Sequence, residues 1–408
     1  MKKSILKNYA SLIAKVGLNV QKGQDVIIYA DLDQPEFVQM CVEECYKLKA
    51  NKVTVEWNYP NLTKVHSRYA SLKTLSEVTD YQKAKLQYMV DKLPACLYII
   101  SEDPDGLKGA NQEKLAKSKM ARYPIIKPYR DKIDNKYQWC IVGVPGKAWA
   151  KKVFPNLKVN QAMEKLWEAI LTTARVNDDA IKTWEDHNKD LNDRCAYLNS
   201  LNIDYLEYNN SLGTNFKVWL MEDGLFLGGA EKTLGSNIIY NPNMPTEECF
   251  TTPIKGKAEG VVYATLPLSY NGELIENFHL VFKDGKVVEA HADKNEDLLK
   301  KMLSMDENAS FLGEVALVPF SSPINQTGVL FYNTLYDENA VCHLALGAGF
   351  DNTVKDYEKY SKDQLKEKGV NDSMIHVDFM IGSKDLSIKA HTRDGKDVLI
   401  FKDGEWAF

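Results

Sequence analysis

Along residues 1–178 the apolar positions alternate between two spacings. Ile5, Leu6, Tyr9, Leu12, Ile13 and Val16 recur at helical intervals, and the turn Lys22-Gly23-Gln24 then leads into the short apolar run DVIIYA, Asp25 to Ala30. Glu36 to Ala50 is again amphipathic, and KVTVEWNY, ACLYIISE and QWCIVGV follow, each bounded by helix or strand breakers. Short apolar strands separated by helices of this length need cover on both faces of a sheet. The pattern therefore predicts βαβ units and an open α/β domain with a mainly parallel sheet over 1–178.

A long polar helix is predicted from about Asp178 to Ser200, and beyond it the pattern changes. From Ile203 onward most segments read as strands joined by glycine turns, with Asn271-Gly272, Asp284-Gly285, Asp394-Gly395 and Asp403-Gly404 each lying between apolar or alternating runs. One helix, about Asn295 to Met305, interrupts them. This predicts a largely antiparallel, β-rich α+β domain over 179–408. FKDG occurs at Phe282 and again at Phe401, and two hairpins with the same common turn dipeptide account for it without a repeat.

Size agrees with two domains, since 408 residues exceed one ordinary core. The net charge is −5, with Lys and Arg scattered, which argues against a nucleic-acid stripe or a polybasic membrane patch. The N-terminus begins basic, but Lys7 and Lys15 interrupt any signal-like apolar stretch and no run reaches membrane-spanning length, so a cytoplasmic protein is expected. Seven cysteines at irregular spacing, with no CxxC, read as reduced and mostly buried thiols; Cys342, beside His343, reads as a small core residue rather than a nucleophile.

One segment sets a problem in chemistry. YNTLYDENAVCHLALGAGF, Tyr332 to Phe350, has the composition of a core yet carries Asp337, Glu338 and His343. Charged groups taken out of water cost several kcal/mol unless they are solvated, paired or neutralised by a bound cation. Glu338 and His343 are five apart and converge only if the chain bends between them; alternatively Asp337 and Glu338 are solvated cap residues. In MIHVDFMIGS, His376 and Asp378 fall on one side of a predicted strand while Ile375, Val377 and Phe379 fall on the other. Taken alone, this pair also fits a core histidine satisfied by its neighbouring Asp. Glu314 opens the apolar strand EVALVPF, and Glu247 and Glu248 precede the strand CFTTPI, where only one of the two can face a given side. Motifs of other chemistries are missing: there is no HExxH, GxGxxG or GxSxG, and GVPGKAW lacks the spacing of a phosphate-binding loop. Glu248, Glu314, Glu338, His343, His376 and Asp378 form an oxygen and nitrogen donor set without thiolates, suited to catalytic divalent ions rather than to a closed structural zinc. Six donors exceed the needs of one ion and suit two ions sharing a carboxylate.

PTEECF, GEVALVP, TGVLFYNTLYDENAVCHLALG and HVDFMIGS occur in the order and register of the thermophilic-type metalloaminopeptidases, which the chain resembles over nearly its whole length. YASLIAKVGLNVQKGQDVIIYA and IISEDPDGL extend the resemblance into the N-terminal third. The resemblance implies an α/β N-terminal domain, a β-rich C-terminal domain carrying two metal ions, and a homodimer enclosing the active sites. Carried over by position, it implies Glu248, Glu314, Glu338, His343, His376 and Asp378 as metal ligands, with Glu314 shared and Asp337 a support outside the ligand set. The chain departs from the family at Phe350, where a tyrosine is usual; phenyl cannot donate a hydrogen bond to a developing oxyanion, so either a nearby group such as Tyr336 or Tyr332 substitutes or turnover is reduced. Asn333, where relatives often have Asp, affects only the surroundings.

The activity implied is release of N-terminal residues from peptides with a free N-terminus, by water activated on two divalent ions, Zn²⁺, Co²⁺ or Mn²⁺. Glu247 is the candidate proton carrier, provided the backbone bends so that both it and Glu248 reach the site. The competing readings are hydrolysis of another amide, and a metal-containing protein that binds peptides without cleaving them. Cofactor binding on the parallel sheet has only fold in its favour.

Overall fold

The computed structural model describes residues 1–101 and 103–408; Glu102, within IISEDPDGL, lies outside the described residues. The chain divides into two compact units, Met1–Asp186 with Ala230–Pro245, and His187–Gly229 with Thr246–Phe408. The division between 186 and 187 falls inside one helix, Ala180–Ser200.

In the first unit, five parallel strands form one sheet in the order Lys52–Asn58, Asp25–Asp31, Ala95–Ile100, Trp139–Gly143, Asn243–Met244. Val26, Ile27, Ile28 and Ala30 are all buried, which explains why DVIIYA is a continuous apolar run rather than an alternating one. The opening helix, Lys3–Leu12, runs on through a wide turn at Ile13–Gly17. That turn packs so closely on the sheet that a Cβ on Gly17 would lie 2.8 Å from the Cys140 sulfur. All seven cysteines are free and buried, as their irregular spacing predicts. No helix among the described residues is long and apolar enough to cross a membrane.

The second unit contains a nine-stranded sheet and a four-stranded sheet, both antiparallel. Three of the four predicted turns are two-residue hairpins: Asn271-Gly272, Asp284-Gly285 and Asp403-Gly404 have positive φ at both positions and link the pairs Tyr270 with Glu273, Lys283 with Lys286 and Lys402 with Glu405. At Asp394-Gly395 only the glycine is left-handed, and the loop is longer, between the paired His391 and Asp397. The helix predicted at 295–305 is Glu296–Leu303, but it does not stand alone as expected: Lys362–Lys368 and the short Pro323–Gln326 and Thr334–Glu338 are also helical, too brief to show a helical period in the sequence. The four-stranded sheet, in the order Cys249–Thr251, Leu312–Leu317, His343–Gly347, His376–Met380, positions the candidate site.

Candidate metal centre

In Leu312–Leu317, His343–Gly347 and His376–Met380, apolar residues alternate over Glu314–Leu317, His343–Gly347 and His376–Phe379 with residues that are small or ionisable. Val315, Leu317, Leu344, Leu346, Phe379 and Cys249 point to one side, where they join the large buried core of the second unit. Cross-strand pairing sets the other side: Glu314 opposite Ala345, Ala316 opposite His343, Ala345 opposite Asp378, and Gly347 opposite His376. Phe250 pairs with Ala316, so by alternation Glu248 also falls on this face and Glu247 on the opposite one. The small residues Ala316, Ala345 and Gly347 lie between the ionisable ones and leave room above the sheet. Gly347 is obligatory: its φ is +103°, and a Cβ there would meet the Ile375 carbonyl oxygen at 2.1 Å.

Glu338 and Asp337 come from a different element, the short helix Thr334–Glu338. The helix stops at Glu338 and the strand begins at His343, so the bend needed to bring Glu338 near the sheet is present. Asp337 is buried and turned the other way. It accepts hydrogen bonds from the backbone N–H groups of Phe331 (2.7 Å) and Asn333 (2.9 Å) and so anchors the loop leading into the helix.

The ligand-type atoms of Glu248, Glu314 and His343 lie within 4.8 Å of one another, as do those of Glu314, His376 and Asp378; Glu314 belongs to both groups. Glu338 joins them through a side-chain contact with Asp378. Glu247 and Tyr336 are not among these converging groups. The Glu247 carboxylate is 4.0 Å from His187 Nε2, and Tyr336 is fully buried with its ring stacked on Phe331 at 4.6 Å. Phe350 lies at the rim, its ring 4.9 Å from that of His376 and 5.4 Å from that of Phe250.

The hydrogen bonds of the two histidines test whether the groups fit a cation. His376 Nδ1 is 2.7 Å from the Ala348 carbonyl oxygen, and His343 Nδ1 is 3.3 Å from that of Val341. A carbonyl only accepts, so Nδ1 carries the hydrogen and Nε2 of each neutral ring is a bare lone pair. Those lone pairs face carboxylate oxygens: His343 Nε2 is 3.1 Å from Glu248 Oε2, and His376 Nε2 is 3.0 Å from Glu314 Oε2 and 3.2 Å from Asp378 Oδ1. Yet Glu248 Oε2, His343 Nε2 and Asp378 Oδ1 are buried and make no hydrogen bond among the described residues. Acceptors aimed at acceptors in a dry site need a positive charge between them, and no Lys or Arg pairs with these three carboxylates among the described residues.

The electrostatics express the same strain. Burial pushes the Glu314 carboxyl up to about 7, and the charges of Glu248 and Asp378 add to it. Burial, with the neighbouring charges of Asp378, Glu248 and Glu314, raises Glu338 well above the usual carboxylate range. For His343, burial favours the neutral ring, but the facing carboxylates overcome it and carry the group up to about 9. Asp378 goes the other way: burial is outweighed by the His376 imidazole and the group is held at about 2. Protons are thus shared among the groups wherever cations are not.

Four carboxylates and two imidazoles of this kind, without thiolates, fit divalent cations, and the arrangement is that of a metal-dependent hydrolase. Comparison with known proteins makes this specific. The family model described as thermophilic metalloprotease (M29) matches residues 2–406. Aminopeptidase 2 of Geobacillus stearothermophilus is 40% identical over 405 residues, covering 99% of this chain and 98% of its own length. Aminopeptidase AmpS of Bacillus subtilis is 39% identical over the same share of both chains. The solved structure of wild-type AmpT from Thermus thermophilus superposes with a TM-score of 0.90 at 35% identity, covering 100% of both chains. The chain belongs to the thermophilic metalloprotease (M29) family.

Proposed function

We propose how this chain, a metalloaminopeptidase, uses its residues to release the N-terminal residue of a peptide. Glu248, Glu314, Glu338, His343, His376 and Asp378 hold two divalent cations, with Glu314 shared between them. Two observations support the number: Glu314 is common to both converging groups, and four carboxylates with two neutral imidazoles balance two doubly charged ions. The observation that carries the reading is the buried His343 Nε2 held 3.1 Å from Glu248 Oε2, two groups that need a positive charge between them, a proton or a cation, and that no Lys or Arg supplies among the described residues. Zn²⁺, Co²⁺ and Mn²⁺ all suit the donors.

Bound divalent cations supply Lewis acidity, bringing the pKa of a bound water to about 7 and polarising the scissile carbonyl. The chain's own groups do the rest. The carbonyls of Val341 and Ala348 hold both imidazoles in the tautomer that presents Nε2. Glu314, buried at the centre of both groups, would take the proton of the attacking water and return it to the leaving amine; a carboxylate has enough lone pairs to serve as ligand and proton acceptor at once. Glu247, directed toward His187, supports the strand entry rather than the proton transfer. Tyr336, stacked on Phe331, steadies the helix that presents Glu338. Phe350 walls the rim beside His376 and has no hydrogen bond to donate to an oxyanion, a stabilisation that bound cations would supply. The acidic lining favours the α-ammonium group of a free chain end. A cytoplasmic homodimer completes the reading.

The test is cation-reconstituted protein assayed on a peptide with a free N-terminus and on its N-acetylated twin. Cleavage confined to the free peptide is expected. Equal cleavage of both, or cation binding with no turnover, overturns it.

A further inference from the structure

The ligands proposed above come from separate elements, and something has to set the distance between the helix end bearing Glu338 and the strand entry bearing Glu248. Asn339 touches both. It is fully buried, and its amide makes three contacts: Oδ1 accepts from the backbone N–H of Glu247 at 2.8 Å, while Nδ2 donates to the Leu335 carbonyl at 3.1 Å and to Glu338 Oε1 at 3.3 Å. The orientation of this amide is dictated by its partners. A backbone N–H can only donate and a backbone carbonyl can only accept, so oxygen must face Glu247 and nitrogen must face Leu335. The second N–H is then left pointing at the Glu338 carboxylate.

We propose that Asn339 is a positioning residue for the metal centre. It donates to one oxygen of Glu338, leaving the other free for a cation, and it pins the backbone of Glu247, which fixes where Glu248 emerges on the ligand face. Its own carbonyl accepts from the Ser322 hydroxyl at 2.8 Å, so the clamp is itself held from a third segment. A Leu or Met of similar size would fill the volume but abandon the Glu247 N–H, the Leu335 carbonyl and the carboxylate together. The inference rests on the reading that Glu248 and Glu338 are cation ligands.

The experiment compares Asn339→Ala and Asn339→Ser with wild type and with Leu299→Ala, a core control in the same unit. Zn²⁺ affinity is measured by competition with a chromophoric chelator, and Tm is measured on the cation-free protein. Both Asn339 variants are expected to lose about 10- to 100-fold in Zn²⁺ affinity, while Leu299→Ala lowers Tm and keeps Zn²⁺ affinity within about twofold. Wild-type affinity in folded Asn339→Ala or Asn339→Ser overturns the proposal, and so does an affinity loss in Leu299→Ala equal to theirs. Failure of both Asn339 variants to fold, with and without Zn²⁺, assigns the residue to the fold alone and overturns it too. Should wild type itself bind no Zn²⁺, the metal-centre reading fails first, a result distinct from failure of the clamp.

Discussion

The two faces of the four-stranded sheet share one backbone and one register, and they do opposite work. On one face Val315, Leu317, Leu344, Leu346 and Phe379 merge with the core. On the other, Glu314, His343, His376 and Asp378 project beside Ala316, Ala345 and Gly347. Both faces are largely buried, so burial does not separate them; the polarity of alternate positions does. A one-residue slip would exchange the faces, burying charge in the core and placing leucines at the cations. The apolar face thus fixes the register on which the chemistry depends.

The sharpest way to break the comparison is at the ligand face. Glu314→Gln keeps shape but removes the shared charge, and kcat is expected to fall by at least about 10³-fold with the far-UV circular dichroism unchanged, measured on protein with Zn²⁺, Co²⁺ or Mn²⁺ restored. On the apolar face the loss should be of another kind. Phe379→Ala opens a cavity and should cost about 3–5 kcal/mol in chemical denaturation, while the Zn²⁺ affinity of the folded fraction stays near wild type. An equal loss of affinity would erase the distinction between the faces.

pH sharpens the comparison further, because groups of the ligand face titrate near neutrality, as does Asp337 on the helix beside it. Without cations, burial raises Glu314 from 4.5 and Asp337 from 3.8 to about 7 each, so their contribution to stability is complete below the lower values and lost as pH rises through about 7. His343, which burial lowers and the facing carboxylates raise, goes from 6.5 to about 9, and its contribution is lost as pH rises through about 9. The cation-free Tm should therefore fall between about pH 5 and about pH 9. With Zn²⁺ present the gap to the cation-free Tm should widen over the same range, since the ligands must shed protons to bind. The smallest effect is expected at the rim: Phe350→Tyr restores a donor beside His376 and should raise kcat up to about tenfold with little change in KM.

Much of this was legible beforehand, for identifiable reasons. The parallel sheet followed from runs such as DVIIYA, which only a strand covered on both faces explains, and three hairpins followed from turn dipeptides whose backbone needs admit few other residues. HVDFM and HLALG carried the alternation of the ligand face openly. Other features depended on partners distant in sequence. The strand Asn243–Met244 returns to the first sheet from inside the second half of the chain, and two residues hold too little pattern to announce it. Glu247 and Glu248 looked equivalent until the pairing of Phe250 with Ala316 set their faces. Asn339 gave no signal at all, because an amide reads as a turn residue unless its three partners are seen.

The most direct test of the central claim is anomalous diffraction from crystals grown with Zn²⁺, recorded on both sides of the zinc edge. Two peaks are predicted on the ligand face, one among Glu248, Glu314 and His343 and one among Glu314, His376 and Asp378. Peaks confined to other parts of the molecule, or none at saturating Zn²⁺, would contradict the account.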